Sequence, residues 1–100
     1  MTITKSNEDG KITLSLDGWL DTLSSPELAS EIDAITEAKS IVLDFDKVEY
    51  IASSGLRQVV ACHRKAKELG AWFSIVNAGN EIISIFRLTG LDKKIIITEK

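Results

Sequence analysis

Ile41-Val42-Leu43-Asp44-Phe45-Asp46-Lys47-Val48-Glu49-Tyr50-Ile51-Ala52-Ser53-Ser54-Gly55-Leu56-Arg57 joins an apolar run to the start of a helix. Residues 41–45 are almost continuously apolar, which predicts a short strand covered on both faces, as in parallel pairing beneath helices. Residues 46–53 read as the turn that follows. A helix is predicted from about residue 54 to 69, with Leu56, Val59, Val60, His63 and Ala66 as its inward stripe. Gly70 closes it as a C-terminal cap. A buried strand that feeds a helix is the building unit of an α/β domain.

Reading toward the N-terminus, Lys11-Ile12-Thr13-Leu14-Ser15-Leu16 alternates polar and apolar residues, as a half-buried strand does. A short strand around residues 2–5 can pair with it as a hairpin through the polar residues 6–10. Asp17-Gly18-Trp19-Leu20-Asp21-Thr22-Leu23 reads as a loop. Ser24 and Glu27 have capping-box spacing, and Ser25-Pro26 offers a second helix start. That helix is expected over about residues 26–39, with Leu28, Ile32 and Ile35 on one face.

Toward the C-terminus, Trp72-Phe73-Ser74-Ile75-Val76 reads as a strand broken by Asn77-Ala78-Gly79. Asn80 can cap a third helix that carries Ile82, Ile83, Ile85 and Phe86 and stops at Gly90. Ile95-Ile96-Ile97 is a last strand. The order is β-β-α-β-α-β-α-β. It predicts one α/β domain over residues 1–100, a central mixed β-sheet with helices packed on it and right-handed β-α-β connections.

Composition excludes several classes. With 44% apolar residues the chain has the makings of a globular core. No apolar run approaches the ~18 residues that span a bilayer, and the N-terminus has no signal-like stretch, so direct membrane insertion is not expected and a cytoplasmic location is. The net charge of −3 argues against nucleic acid as a partner. It is unevenly spread: residues 1–51 carry a balance of −7 and residues 52–100 of +4. Cys62 and His63 are the only residues of their kinds, which leaves no disulfide or zinc motif and no metal site. There is no Gly-x-Ser-x-Gly elbow and no phosphate-binding loop, and the one histidine turns inward. The chain therefore reads as a protein without catalytic residues or cofactors.

The chemistry sits at Ser53-Ser54-Gly55. A helix start exposes unpaired N–H groups and the positive end of its dipole, where a phosphate finds ready donors. Gly55 would let a phosphate or partner approach the backbone. The bland alternative is that one serine simply caps the helix. Trp19 either anchors an interface or covers the end of the sheet. Arg57, in the first turn, either pairs with a phosphate placed at this helix start or is solvated. Tyr50 and Phe45 read as core, and the run Arg64-Lys65-Ala66-Lys67-Glu68 as the wet face of the second helix.

Three segments resemble the STAS family, the domain shared by sulphate transporters and anti-sigma factor antagonists. Val42-Leu43-Asp44-Phe45, Val48, Ile51 and Ser53-Ser54-Gly55-Leu56 are similar to its signature. Gly18-Trp19-Leu20-Asp21 looks like its loop before the first helix. Phe86-Arg87-Leu88-Thr89-Gly90-Leu91 looks like its closing motif. The resemblance implies an anti-sigma factor antagonist in a partner switch. An anti-sigma factor that is also a serine kinase would bind it and phosphorylate Ser53, and a phosphatase would reset the switch. Trp19, Asp21, Thr22, Ser53, Ser54, Gly55 and Arg57 then belong to the partner-binding surface. Sporulation members carry Asp before the acceptor serine, where this chain has Ala52. STAS domains also serve as subunits of lipid transporters or as stress-sensing scaffolds, which is the alternative the resemblance allows.

Overall fold

The structure, a computed structural model, describes residues 1–100. Strand β1 (Thr2–Glu8) pairs antiparallel with β2 (Lys11–Leu20), from Thr2 opposite Asp17 to Glu8 opposite Lys11. Asp9 and Gly10 alone make the turn, at φ values of 53° and 94°. Positive φ at both central residues matches the right-handed twist of the paired strands, so the hairpin closes more tightly than residues 6–10 imply.

After β2 come α1 (Ser25–Asp33), β3 (Ser40–Ile51), α2 (Ser53–Glu68), β4 (Trp72–Ala78) and α3 (Asn80–Thr89). A 3₁₀ turn at Leu91–Lys93 then leads into β5 (Ile96–Glu99). The five strands lie in the order β1-β2-β3-β4-β5, antiparallel at the first pair and parallel at the other three. The predicted α/β class and element order both hold.

Strand lengths depart from the expectation. Residues 17–20 belong to β2 and residues 46–51 to β3, where a loop and a turn were expected. The two segments pair with each other as far as Leu20 opposite Ile51. The pairing skips between Ser15 and Asp17 and again between Gly18 and Trp19, and each time β3 holds one extra residue. Such bulges break the period of two. The buried positions of β3 accordingly run Ile41, Leu43, Phe45, then Val48, then Ile51. An alternation interrupted twice looks like a turn in sequence.

Helix α1 is shorter than expected and stops at Asp33. The following residues extend so that the N–H of Lys39 can donate to the carbonyl of Gly10, at 2.8 Å. Leu28, Ile32 and Ile35 are still all buried, as the periodicity required. In α2 the buried stripe is Gly55, Val59, Cys62 and Ala66, while Leu56, Val60 and His63 are half-buried. The stripe is thus turned by about one residue from the predicted one. Asn80 is the first residue of α3 rather than its cap; Gly79 takes that position.

One cluster of 22 buried side chains joins the helices to a single face of the sheet. Val42 is 8% exposed yet lies outside that cluster, on the opposite face. Residues 41–43 are thus buried on both faces as expected, but the helices that were expected above both pack on one face only. The far face carries Thr4, Ser15 and Asp44 and is open to solvent. No helix is long and apolar enough to cross a membrane.

Candidate functional site

The ends of β2 and β3 bring two chain reversals together. The first, Leu20 to Ser25, is locked by its own polar groups. Ser24 Oγ donates to the carbonyl of Trp19 at 2.6 Å and accepts from the Asp21 N–H at 2.9 Å. Asp21 Oδ1 accepts from the N–H groups of Leu23 and Ser24, at 3.0 and 3.1 Å. Ser25 Oγ donates to the Asp21 carbonyl at 2.6 Å. The Ser24 hydroxyl is therefore occupied by the reversal, and the expected capping box with Glu27 is not made. The N–H of Ser24, with further help from its hydroxyl and from Leu23, holds the Asp21 carboxyl below its ordinary pKa. Asp21 shapes the loop.

The second reversal, Ile51 to Ser53, is held against the first. The Ala52 N–H donates to the Leu20 carbonyl at 2.9 Å, and Thr22 Oγ1 donates to Ser54 Oγ at 3.1 Å. Gly55 is buried, and a Cβ there would strike the Leu20 carbonyl oxygen and come within 2.9 Å of Ile51 Cγ1. The expectation that Gly55 opens the backbone to a phosphate is thus corrected. Its missing side chain lets α2 start flush against β2, and it presents no surface of its own.

Ala52 is the N-cap of α2, with φ −91° and ψ 172°, and makes no side-chain cap. A helix leaves its first N–H groups without intrahelical partners. Ser53, the next residue, is exposed and takes no part in the hydrogen-bond network. Arg57 lies one turn further on, exposed and without a carboxylate partner. The i, i+4 spacing puts it on the same helix face as Ser53.

Beside these turns stands an aromatic pair. Trp19 and Tyr50 face each other across β2 and β3, with ring centroids 5.3 Å apart. Trp19 is 56% exposed and Tyr50 48% exposed. Trp19 Nε1 donates to Glu49 Oε2 at 3.3 Å, which fixes the indole. Leu23, 88% exposed, joins Met1 and Trp19 around a shallow hollow of about 370 Å³ that Asp21 and Glu27 border. Phe45 is in the core as expected, but Tyr50 is not, because the second bulge turns it outward. Tyr50, Glu49 and Leu23 are the surface residues that the sequence reading missed. The broken alternation after Phe45 was the signal for Glu49 and Tyr50, and Leu23, in the loop after β2, had none.

Cys62 and His63 lie apart from these turns. Burial pushes the Cys62 thiol up to about 12, which makes it inert. His63 lies half-buried against Phe73, with ring centroids 5.6 Å apart. No group of three or more His, Cys, Asp or Glu side chains is placed to hold a metal ion.

Comparison with known proteins adds to this geometry. The profile of the STAS domain matches residues 2–100. The anti-sigma-F factor antagonist RsfB of Mycobacterium tuberculosis is 27% identical over 95 residues, which cover 93% of this chain and 77% of RsfB. A solved anti-sigma factor antagonist from Mycobacterium paratuberculosis is 28% identical with a TM-score of 0.88, over 99% of this chain and 86% of that one. The anti-sigma factor antagonist SpoIIAA in its unphosphorylated form has a TM-score of 0.80 at 18% identity, over 96% of this chain and 87% of its own. At that identity the likeness to SpoIIAA is one of fold.

Proposed function

The chain belongs to the STAS domain family, and from that premise we propose that it is an anti-sigma factor antagonist whose partner binding is switched off by phosphorylation of Ser53. The partner in this reading is an anti-sigma factor with serine kinase activity, and a phosphatase restores the free hydroxyl. The relatives at 27% and 28% identity, both described as anti-sigma factor antagonists, support the role. The observation that carries the site is the contrast between adjacent hydroxyls: Ser54 is tied to Thr22, while Ser53 is exposed and unengaged.

Phosphorylation adds about −1.5 to −2 charges and three acceptor oxygens. At the first position of α2 these oxygens meet helix N–H groups that the Ala52 side chain does not cap. The fold can therefore accept the group, and the cost falls on the interface. A partner seated over Trp19, Tyr50 and the start of α2 would have to desolvate a dianion. In this reading Asp21 and Gly55 act by holding the two reversals together, and Trp19, Thr22, Ser54 and Arg57 line the contact around Ser53.

The test is to incubate the chain with its partner kinase, sought first among neighbouring genes, and ATP, and then to map the modified peptide. Label on Ser53 with loss of the complex is expected. Label on Ser54, or a complex that survives modification, would reject the assignment.

A further inference from the structure

A second surface lies at the other end of α2, ten residues from Ser53 and so about 15 Å along the helix axis. Two adjoining hollows of about 530 and 280 Å³ share His63, Lys67 and Lys94. Arg64 extends the first, and Trp72 and Ile96 extend the second. Together they form one open groove between α2, the start of β4 and the start of the edge strand β5.

Its chemistry is one-sided. No carboxylate lines either hollow. The chain's one ion pair, Lys100 with Asp46, lies elsewhere, so Arg64, Lys67 and Lys94 have no acidic partner. Burial and the charge of Lys67 hold the His63 imidazole below its ordinary pKa, so the fixed cations at neutral pH are those three. Apolar surface accompanies them: Trp72 is 77% and Ile96 59% exposed. Of residues 64–68, Arg64 and Lys67 are gathered by the fold with Lys94 and an exposed indole.

We propose that this groove is a second docking surface, for an acidic segment of a partner protein that carries an aromatic or aliphatic side chain. The charge complementarity is direct: three unpaired cations flank apolar side chains that can seat such an anchor. A nucleic acid duplex or an anionic membrane is a wide polyanion. Either would approach a chain whose net charge is −3. A short acidic segment samples the groove alone. The groove is open along its length, so a small anion would stay largely hydrated, whereas a peptide spans all three cations at once. The bare edge of β5, the last strand of the sheet, adds backbone groups that only another polypeptide can pair.

The probe is a fluorescein-labelled decapeptide of glutamate and aspartate with one central phenylalanine, titrated by anisotropy at low salt. Saturable binding is expected, weakened about tenfold by Lys67→Glu combined with Lys94→Glu. Trp72→Ala should weaken it as well. The charge-matched control, Lys5→Glu on β1 with Lys47→Glu on β3, touches neither hollow and should bind as the parent does. Circular dichroism confirms that each variant is folded. No binding, or equal loss in the control, overturns the proposal. Tighter Lys67-dependent binding of duplex DNA or of anionic vesicles overturns the choice of occupant. Self-association of the Lys67, Lys94 variant with peptide affinity unchanged would mean that the lysines only guard the sheet edge.

Discussion

Thr22 Oγ1 donates to Ser54 Oγ across 3.1 Å, a bond that ties the loop after β2 to the first turn of α2. The pair is 32 residues apart in sequence. It distinguishes two hydroxyls that local sequence makes equivalent: one is held, and its neighbour is exposed.

The switch follows from that distinction. Ser53→Asp is expected to weaken partner binding by about tenfold or more, from one added charge in a partly desolvated contact. Ser53→Ala should bind as tightly as the parent and resist release by ATP and kinase. Titration calorimetry of both variants with the partner, before and after kinase treatment, checks this. Equal affinity for the Asp and Ala variants would count against it.

Gly55→Ala should destabilise the fold by about 1–3 kcal/mol or more, as overpacking does. The new methyl group meets the Leu20 carbonyl and the Ile51 side chain, both buried and neither free to withdraw. A shifted urea midpoint with an unchanged m-value would show it.

Ala52→Asp should stabilise the chain by about 1 kcal/mol, because the residue already has N-cap geometry and α2 has no side-chain cap. In a chain of this length that is a rise in Tm of about 4–8 °C. The same carboxylate would compete with a phosphate on Ser53 for the first N–H groups, so any stabilisation by phosphorylation should shrink in the variant. Differential scanning calorimetry of the four combinations measures both effects.

Trp19→Ala and Tyr50→Ala should each reduce partner affinity by at least about tenfold, while stability falls by no more than about 1 kcal/mol, since both rings are half exposed. Affinity and thermal unfolding measured on the same samples separate the two effects. A large loss of stability with partner affinity intact would instead mark the pair as a cover for the sheet.

Asp21 makes stability depend on acid pH. Its carboxyl is held below the ordinary 3.8 by the Ser24 and Leu23 donors, so the folded state favours the charged form. The resulting stability is fully present above the unfolded pKa and is lost as pH falls through the lower folded value. Asp21→Asn should therefore be less stable than the parent at neutral pH, and the difference should narrow below pH 4. Urea midpoints across pH 2–7 test the trend.

Ser53-Ser54-Gly55-Leu56, Pro26 and Gly90 were enough to place helix ends, and the alternation of residues 11–16 was enough to place a strand. Those signals are local: a cap, a fixed φ or a side-chain period acts within one turn or one pleat, and it reads the same in any fold. The element order and the α/β class followed from them. Resemblance at three segments then pointed to the STAS family, which the match over residues 2–100 bears out.

The ends of β2 and β3 were of another kind. Whether residues 46–51 form a turn or a strand depends on β2 lying alongside, and the two extra residues that turn Tyr50 outward exist only as a mismatch between paired strands. Local spacing pointed Ser24 to a capping box with Glu27, but its hydroxyl donates to the Trp19 carbonyl, which the end of β2 brings near. Gly55 looked like an opening to ligands until Leu20 was found against it. Composition and periodicity thus determined which elements form and in what order. Pairing register and close contact between distant segments decided which side chains of the site face solvent, because those energies depend on neighbours that linear spacing does not identify.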